Sequence, residues 1–459
     1  MRIAVCVRQG LDGELNPFDA SAYEVALSEP EAEVILVSMG VPKTADLLLH
    51  LTRLGASRAV LLSDPLFAGS DTLATAYVLS CAMERLKPDR ILCGRKTLIG
   101  DTGQVPPMLA EMAGYDFLPD VLTVTDGNAV TRDGNRNIPP RALLAVEKQA
   151  VLRLPSLLSR VGRVEAWTAA DIGADPMRCG LNGSPTRVLA TKENTAGRRK
   201  CRILPLRNLP EVLSEALQER RALAAPQGNG EKLPCILSVG SEAMPFALTV
   251  CDNPQEIPLC SVAKLADIIA QKKPDAVLFG NDAASRETAA RLAARGKLGL
   301  CADCTAVTAE NGRAVLYRPA LSGSLIAKIV SETVPALATV RCHTEQSASL
   351  IVAAGYGVRK KLDAVRAMAA RLGADFAVSR KLVDGGLAPY REQVGLTGKT
   401  VSPAVYLAIG ISGAVHHIAG MDRSGTVIAV NPDPHAPIFD YADYGIRCSF
   451  EELEDLYHA

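Results

Sequence analysis

Lys87-Pro-Asp-Arg-Ile-Leu-Cys-Gly94 and Lys273-Pro-Asp-Ala-Val-Leu-Phe-Gly280 share one pattern: a Lys-Pro-Asp turn, an apolar strand and a glycine. Each copy is followed by an alanine-rich amphipathic stretch. Asp120-Val-Leu-Thr-Val124 then follows in one copy and Asp303-Cys-Thr-Ala-Val307 in the other. A pattern that recurs at this length indicates two structurally related domains within one chain.

The residues around the first copy predict a parallel sheet covered by helices. Short β-branched runs alternate with stretches of helical period, which is the pattern of successive βαβ units. Asp71 stands just before an apolar periodic stretch and is a candidate helix N-cap. The expected strands are Ile3–Val7, Val34–Ser38, Ala59–Leu62 and Arg90–Cys93, and the expected helices are Thr44–Leu54 and Asp71–Leu86.

A third α/β unit is predicted towards the end of the chain. We therefore expect an α/β fold of three Rossmann-like, doubly wound parallel-sheet domains, namely two related nucleotide-binding-like domains and a C-terminal domain. The stretch 225–233 is rich in Gly and Pro and is the best candidate linker. The predicted elements of the third unit are strands Leu350–Ala353, Phe376–Val378, Tyr406–Ile409 and Thr426–Val430 and helices Lys361–Leu372 and Glu451–Tyr457.

Composition excludes several classes of function. Lys+Arg and Asp+Glu number 50 each, and aromatic residues make up only 4%, so neither a nucleic acid nor an anionic membrane surface is an expected partner. No run of 18 apolar residues occurs, and the apolar start of the chain is too short for a signal core, so we expect a cytoplasmic protein without membrane insertion. The single CxxC pair, Cys301 and Cys304, lacks a second pair at metal-site spacing and is interpreted as buried structural thiols.

Three glycine-containing stretches are candidate phosphate sites. Gly395-Leu-Thr-Gly-Lys-Thr400 lacks the first glycine of a P-loop, which argues against an ATPase. Gly355-Tyr-Gly357 lacks the third glycine of a dinucleotide fingerprint and is more typical of a strand-to-helix turn. In Tyr406-Leu-Ala-Ile-Gly-Ile-Ser-Gly-Ala-Val-His-His417 a strand runs through glycines into a predicted helix, whose amides could bind phosphate; a tight packing turn is the alternative.

Several blocks between Ser379 and Gly445 resemble, in order, the FAD-binding domain of the α subunit of electron-transfer flavoproteins. The blocks are Ser379-Arg380, Gln393–Val401, Gly410–Met421, Asn431–Phe439 and Ala442–Gly445. The N-terminal half resembles the β subunit of the same family through Asn16–Asp19, Leu54–Arg58, Phe67–Thr75, Cys93-Gly94, Gly100–Val105 and Gly183–Thr186. The resemblance implies a β-like domain over 1–224, a linker over 225–233, a shortened first α-like domain over 234–345 and an FAD-binding domain over 346–459.

The resemblance implies that FAD binds in the C-terminal domain. Arg380, Thr397 and His417 would lie beside the flavin ring, where the cation favours the reduced, anionic flavin, the threonine donates to N5 and the histidine donates towards C2=O. Ser412 and Gly413 would hold the pyrophosphate. The full implied set, including residues for the adenosine end, is Ser379, Arg380, Gln393, Val394, Gly395, Thr397, Gly398, Gly410, Ser412, Gly413, His417, Asn431, Asp433 and Asp443.

In the β-like half the resemblance implies a second nucleotide, either FAD or AMP. The form of the motif is closer to that of electron-bifurcating, NADH-using members, which favours a second FAD. The implied residues are Gly100, Asp101, Thr102, Gly103, Gln104 and Val105.

The implied function is electron transfer through FAD between a flavin-dependent dehydrogenase or reductase, similar to an acyl-CoA dehydrogenase, and a downstream quinone oxidoreductase or ferredoxin. The recognition loop of the β-like half, Leu154–Arg163, carries fewer basic residues than is usual in the family. The alternatives are an NADH-oxidising, electron-bifurcating enzyme and a nucleotide-binding module without a redox role.

Overall fold

The computed structural model describes residues 1–10, 13–97, 100, 102–125, 127–131, 134–193, 198–219, 229–320, 325–341, 348–395, 398–399 and 401–458. The helices within them are α1 (Pro17–Leu27), α2 (Thr44–Thr52), α3 (Thr72–Leu86), α4 (Val105–Ala113), α5 (Leu209–Glu219), α6 (Met244–Val250), α7 (Val262–Lys272), α8 (Ala283–Gly296), α9 (Leu362–Arg371), α10 (Arg380–Asp384), α11 (Val415–Ile418) and α12 (Phe450–His458). The strands are β1 (Arg2–Cys6), β2 (Glu33–Met39), β3 (Arg58–Leu62), β4 (Arg90–Gly94), β5 (Asp116–Thr125), β6 (Asn128–Thr131), β7 (Gly134–Asn137), β8 (Ala142–Val146), β9 (Arg163–Trp167), β10 (Thr186–Glu193), β11 (Arg202–Ile203), β12 (Ile236–Val239), β13 (Gln255–Ile257), β14 (Ala276–Phe279), β15 (Leu300–Cys304), β16 (Ala306–Glu310), β17 (Arg313–Ala320), β18 (Leu325–Ser331), β19 (Ala336–Val340), β20 (Leu350–Ala354), β21 (Asp375–Val378), β22 (Val405–Ile409), β23 (Thr426–Val430) and β24 (Tyr444–Ile446).

The chain divides into two compact units. The first comprises Met1–Thr191, Pro226–Arg318 and Ala327–Cys342, and the second comprises Lys192–Ala225, Pro319–Ile326 and His343–Ala459. The first unit contains a nine-stranded sheet of order β7-β6-β5-β8-β4-β1-β2-β3-β9, whose pairs from β5 to β9 are parallel. Strands β1, β4 and β8 are almost wholly buried, as expected for a sheet that helices cover on both faces.

A second, smaller parallel sheet in this unit repeats the centre of the first. Its order β13-β12-β14-β19-β15 matches β2-β1-β4-β8-β5 strand for strand, and among the described residues this sheet contains no counterparts of β3 and β9.

The repeated Lys-Pro-Asp turn has the same conformation in both copies. Lys87 and Lys273 each end a helix in the left-handed region with φ of 48°. The next aspartates in each copy, Asp89 and Asp275, both accept a backbone hydrogen bond through Oδ2, at 2.7 Å from Arg2 and 2.9 Å from Cys235. The repeat in the sequence is therefore a repeat in the structure.

The two parallel sheets of the first unit meet through helices α4 and α8. Glu111 on α4 binds two arginines of α8, with Oε2 2.9 Å from Nε of Arg291 and Oε1 2.6 Å from Nη2 of Arg295. Burial alone would raise the pKa of Glu111, but the hydrogen bonds from both arginines outweigh it and lower the pKa. This ion pair is well shielded on the carboxylate side, so it holds the two helices more firmly than an exposed pair would.

The second unit has one parallel sheet of six strands in the order β11-β24-β23-β22-β20-β21. The fold class predicted from the sequence, α/β with several parallel-sheet domains, is confirmed. Strand β11 and helix α5 belong to this unit although the sequence analysis placed residues up to 224 with the first domain. Leu209, Leu213 and Ala216 of α5 are buried in the core of the six-stranded sheet, which is why this segment packs here.

Most of the predicted elements agree with the structure to within about two residues, and Asp71 is the N-cap of α3, accepting from the amides of Leu73 and Ala74. A four-stranded sheet, β10-β18-β17-β16, was missed by the sequence analysis. Among the described residues no helix is both long and apolar enough to cross a bilayer. The predicted domain boundaries stay predictions.

Candidate functional site

The larger candidate site is a cavity of about 800 Å³ in the second unit. It lies beyond the carboxyl ends of β20, β21, β22 and β23. The chain runs from β20 to β21 on one side and then places β22 on the other side of β20, so the cavity is at the point where the strand order reverses. Ligands of open α/β sheets bind at such points, and the volume is sufficient for a cofactor.

The loop after β22 supplies free backbone amides to this cavity. Gly410 turns the chain with φ of 63°, and a Cβ on Gly355 would lie only 2.0 Å from the carbonyl oxygen of Gly410, so the two loops need both glycines to approach. Among the described residues, none accepts a hydrogen bond from the amides of Ser412 or Gly413. The predicted helix that follows is only the four-residue α11, so the amides of the loop, rather than a long helix dipole, would bind a phosphate.

His416 and His417 both line the cavity but differ in burial. His416 is exposed, whereas His417 is only 6% exposed. Burial lowers the pKa of His417 to about 4, although the backbone carbonyl of Val394 acts in the opposite sense. The imidazole is therefore neutral at physiological pH. Its Nδ1 is buried, and although the backbone of Val394 lies beside the ring, Nδ1 forms no hydrogen bond of good geometry with a described residue.

Arg380 lines the cavity and also forms an ion pair. It begins the short helix α10, immediately after Ser379, which lines the cavity as well. Its Nε lies 3.0 Å from Oδ2 of Asp384, four residues later, and its side chain is 34% exposed. Arg380 therefore lines the cavity while its charge is partly neutralised by Asp384.

The loop from Gln393 to Lys399 is closed by backbone hydrogen bonds and forms another wall. The amide of Lys399 donates to the carbonyl of Gln393 at 2.8 Å, and a Cβ on Gly398 would lie 2.2 Å from that same oxygen. Gln393, Val394 and Gly395 line the cavity, whereas Gly398 shapes the loop behind them. Thr397, the predicted donor to N5, lies outside the described residues.

The predicted residues at the adenosine end separate into two groups. Asn431 and Asp433 line the cavity, and Asn431 also braces the phosphate loop because its Nδ2 donates to the carbonyl of Ile411 at 2.9 Å. Asp443 does not line the cavity: it accepts from the amide of Val427 at 2.8 Å and from Arg199. Gly413 is likewise a packing residue, since a Cβ there would lie 2.2 Å from the amide nitrogen of Ile438.

Several lining residues were missed by the sequence analysis. Gly355-Tyr-Gly357 was interpreted as a plain turn, yet Tyr356 and Gly357 lie on the cavity wall. The position of these glycines directly after a buried strand was the available signal, and the missing third glycine concealed it. The other missed residues include Arg359, Lys361, Lys381 and Ser449.

A second cavity, of about 380 Å³, lies in the first unit beyond the ends of β1, β2 and β4. The predicted residues Gly100, Thr102, Gly103, Gln104 and Val105 all line it, and Gly103 takes a left-handed φ of 63°. Asp101 lies outside the described residues.

The side chain of Gln104 is not free to bind a ligand in this second cavity. Its Oε1 accepts from Thr72 at 2.7 Å and its Nε2 donates to the carbonyl of Leu300 at 3.4 Å. Any contribution of Gln104 to a nucleotide site would therefore come from its backbone.

Two charged residues of the second cavity were missed because they come from other parts of the chain. Arg8 follows β1, and its Nη1 reaches to 4.0 Å from the position of a Cβ on Gly100. Asp19 is 5% exposed and accepts from the amides of Arg8 at 2.8 Å and Gly94 at 3.0 Å. Burial raises the pKa of Asp19 to about 7, although the hydrogen bonds that it accepts favour its ionised form and act in the opposite direction.

The tetrapeptide Gly183-Ser-Pro-Thr186 is held beside this cavity by Asp71. Oδ2 of Asp71 accepts from the hydroxyl of Thr186 at 2.7 Å, and its amide donates to the hydroxyl of Ser184 at 2.7 Å. The N-cap of α3 is therefore also the anchor of this segment.

A loop of the first unit exposes leucines to solvent. Leu154, Leu157 and Leu158 are 88%, 100% and 91% exposed within a stretch that has no regular secondary structure. At its base Arg153 donates to both carboxylate oxygens of Glu24, which ties the start of the loop to helix α1. Large apolar side chains clustered in this way are typical of a protein–protein interface.

The two thiols of the CxxC pair are buried, as predicted from the sequence. Cys301 and Cys304 are 2% and 0% exposed on β15. In the part of the chain that the structure describes, no group of three His, Cys, Asp or Glu side chains could hold a metal ion.

Two family models match the sequence. The electron transfer flavoprotein domain matches residues 3–137 and 251–373, more than half of the chain, and the electron transfer flavoprotein FAD-binding domain matches residues 346–422. The chain is 33% identical over 298 residues to the electron transfer flavoprotein subunit alpha of Thermoanaerobacterium thermosaccharolyticum, which covers 52% of this chain and 89% of that protein.

Two further relatives match with similar strength. The electron transfer flavoprotein subunit beta of Clostridium acetobutylicum is 36% identical over 205 residues, which is 41% of this chain and 79% of that protein. The lactate dehydrogenase (NAD(+),ferredoxin) subunit LctC of Acetobacterium woodii is 36% identical over 234 residues, which is 41% of this chain and 56% of that protein.

Proposed function

Because the chain belongs to the electron transfer flavoprotein family, and is an electron-transfer flavoprotein with an FAD-binding domain, we propose that it combines both subunits of such a protein in one polypeptide. The same domain model matches two separate segments, and relatives of the α and of the β type both match. The repeated strand order of the first unit also supports a duplicated domain. The proposed order is β-like residues 1–224, a linker over 225–233 and α-like residues 234–345 and 346–459.

The proposal that FAD occupies the 800 Å³ cavity rests on one observation above all. The glycine-containing loop after β22 lines this cavity where the strand order reverses, and none of the described residues accepts a hydrogen bond from the amide of Ser412. Backbone amides in such a loop are suited to binding a phosphate. Arg380 lines the same cavity, so a cation and a donor for a pyrophosphate line one cavity.

Bound FAD would supply the redox chemistry, since a flavin takes up and releases electrons singly or in pairs. The protein would hold it through the amide of Ser412 at the pyrophosphate, while Gly413 lets the loop pack closely against Ile438. It would favour the reduced form through Arg380 and His417, whose charge and N–H attract the negative charge that reduction adds. Thr397 and the adenosine-side residues Asn431 and Asp433 are proposed contacts of the same cofactor.

For the cavity of the first unit we propose the AMP portion of a nucleotide, which either AMP or a second FAD provides. The volume, about half that of the other cavity, suits a mononucleotide. Arg8 is a cation without a side-chain hydrogen bond among the described residues, and it lies beside the Gly100 turn where a phosphate would sit.

Counting the nucleotides released on denaturation tests both sites at once. We expect one FAD per chain from the C-terminal cavity and one further AMP or FAD from the first unit. Arg8→Gln should lower the affinity for the second nucleotide by about ten- to a hundredfold, because a hydrogen bond to a charged group is worth about 1.5 to 3 kcal/mol. The same substitution should leave the FAD of the C-terminal cavity in place.

The matched control is Arg2→Gln at the other end of β1, where the arginine is bound to Glu33. It should leave both counts unchanged. Protein without FAD would contradict the main proposal, and loss of the C-terminal FAD in Arg8→Gln would contradict the separation of the two sites.

The number of FAD and AMP molecules released per chain also tests the alternative function, NADH-dependent electron bifurcation. The relative LctC, whose name includes NAD(+) and ferredoxin, is the observation that favours it. Bifurcation requires two FAD per chain and reduction of the flavin by NADH alone. One FAD with one AMP would leave a simple carrier that a partner must reduce.

The exposed leucines of the Leu154–Arg163 loop are proposed to dock a flavin-dependent dehydrogenase or reductase that exchanges electrons with the chain, with a quinone oxidoreductase or ferredoxin as acceptor. The test uses a purified acyl-CoA dehydrogenase that reduces the wild-type protein. With this donor, Leu157→Ser together with Leu158→Ser should lower the kcat/KM for reduction by about tenfold, since the side chains at the centre of an interface can each contribute about 1 kcal/mol or more. Stopped-flow absorbance measures the rate. Reduction by dithionite should stay unchanged, and so should the rate of Val41→Ser, which replaces an exposed valine outside the loop. An unchanged rate in the double variant would place the docking surface elsewhere.

A further inference from the structure

Two cysteines stand side by side on adjacent strands in the middle of the nine-stranded sheet. Cys6 on β1 and Cys93 on β4 are partners in the parallel register of these strands. Their side chains lie on one face of the sheet, since both belong to the same hydrophobic core, whereas the preceding residues, Val5 and Leu92, belong to the core of the opposite face. The two thiols are therefore direct neighbours.

Both cysteines also line the second cavity, the one in the first unit. Cys6 is 9% exposed and Cys93 is 4% exposed, and no other described cysteine lines this cavity. The CxxC pair, Cys301 and Cys304, lines neither this cavity nor the larger one. A small molecule that enters the second cavity can thus reach the Cys6–Cys93 pair, and it has no such access to the CxxC pair.

The spacing of the two strands suits a disulfide. Neighbouring strands lie about 4.8 Å apart, and the Cα atoms of bridged cysteines are usually about 4.4 to 6.8 Å apart. Because Cys6 and Cys93 are partners in register, their backbones already have the separation that a disulfide requires. Both thiols are free in the structure.

Contact between the two thiols makes them chemically unequal. The thiol of Cys6 raises the pKa of Cys93 well above its ordinary value, and burial and the negative charge of Asp19 act in the same direction. Cys93 therefore keeps its proton near neutral pH and can offer its S–H to the sulfur of Cys6. A neighbouring donor stabilises a thiolate, and the thiolate is the form of cysteine that attacks an oxidant. Cys6 is thus the attacking member of the pair.

We propose that Cys6 and Cys93 form a redox-active pair on the wall of the second cavity, which a small peroxide converts into a disulfide. The sulfur of Cys6 attacks one oxygen of hydrogen peroxide, the O–O bond breaks and water leaves, so that Cys6 becomes a sulfenic acid. The sulfur of Cys93 then displaces the hydroxyl group, which leaves with the proton of Cys93 as a second water. Each sulfur loses one electron, the peroxide takes up two, and one S–S bond replaces two S–H bonds.

The test treats the full-length, FAD-loaded protein with hydrogen peroxide, alkylates the remaining thiols and maps the disulfides by mass spectrometry after digestion with trypsin. Cleavage on both sides of each cysteine gives the short peptides 3–8 and 91–95, which carry Cys6 and Cys93. We expect these two peptides to be joined, two hydrogens lighter than their sum, and to separate on reduction with dithiothreitol. Cys301 and Cys304 should be recovered alkylated from the same sample.

The matched control is Cys6→Ala, which keeps Cys93 and removes the attacking sulfur. Its Cys93 should be recovered alkylated, without a disulfide to another cysteine. Wild-type protein in which peptides 3–8 and 91–95 remain separate after peroxide treatment would overturn the proposal. Oxidation of Cys301 and Cys304 before Cys6 and Cys93 would overturn it too, because access through the cavity would then not determine which pair reacts.

Added AMP separates this proposal from the nucleotide site proposed for the same cavity. AMP at ten times its dissociation constant leaves about one chain in eleven empty, so a nucleotide that shields the pair should slow disulfide formation by about tenfold. A rate that AMP does not change would overturn the proposed nucleotide site alone, because the joined peptides report the Cys6–Cys93 pair whether or not a nucleotide binds.

Discussion

Arg380→Ala should lower the midpoint potential of the bound FAD by about 40 to 90 mV. A unit charge at about 4 Å contributes on the order of 4 kcal/mol at an effective dielectric of 20. Arg380 is partly exposed and shares its charge with Asp384, so we reduce this figure to about 1 to 2 kcal/mol. Removing the cation makes the reduced, anionic flavin less stable, which is why the potential falls. Spectroelectrochemical titration of the purified protein measures the shift.

The ion pair with Asp384 provides a control of opposite sign. Asp384→Asn removes the carboxylate that partly neutralises Arg380 and should raise the potential, whereas Arg380→Lys keeps the charge and should shift it least. A potential that does not change in Arg380→Ala, with FAD still bound, would show that Arg380 is not beside the ring.

The stability of the protein should fall as the pH rises from about 5.5 to about 8.5, and Asp19 should account for about 2 kcal/mol of this fall. Its folded pKa is raised from the ordinary value of 3.8 to about 7, mainly by burial. A raised folded pKa means that the native state holds the proton more tightly than the unfolded state. The contribution of Asp19 is therefore complete below about pH 4 and is lost as the pH rises through 7.

Asp19→Asn isolates this effect because an amide does not titrate. Both carboxylate oxygens accept hydrogen bonds from backbone amides, so the substitution is expected to destabilise the fold at every pH. The readout is therefore the change in the free energy of unfolding between about pH 5.5 and about pH 8.5, compared between wild type and variant. Urea unfolding of both proteins at each pH gives that difference. The nearest other groups, Arg8 and the thiols of Cys6 and Cys93, are present in both proteins. Curves for wild type and variant that stay parallel with pH would show that Asp19 is ionised throughout.

Much of the fold could be predicted from the sequence because the patterns that indicate strands and turns are local. Buried strands such as β22 and β23 are continuous apolar runs, and the glycines that follow β22 stand next to it in the chain. Arg380 and His417 could be identified because each lies within a short block whose neighbours share one site.

What could not be predicted depends on contacts between distant segments. Tyr406 looks like an ordinary strand residue until the fold brings His417, eleven residues later, against its hydroxyl. Arg8 approaches Gly100, and Asp19 accepts from the amide of Gly94, only after β1 and β4 have paired. Asp443 lay in a matching block, yet its carboxylate is used by Arg199 and the backbone of β23, so membership of a block did not establish contact with the cofactor.

The contact between helices α4 and α8, in which Glu111 binds Arg291 and Arg295, determines how the protein responds to dilution. Two parallel sheets carried on separate chains and held by the same contacts would separate as the protein concentration fell. Here both sheets belong to one polypeptide, so their association is intramolecular and depends on an effective concentration set by the connecting chain. The thermal stability of this joint should therefore be independent of protein concentration.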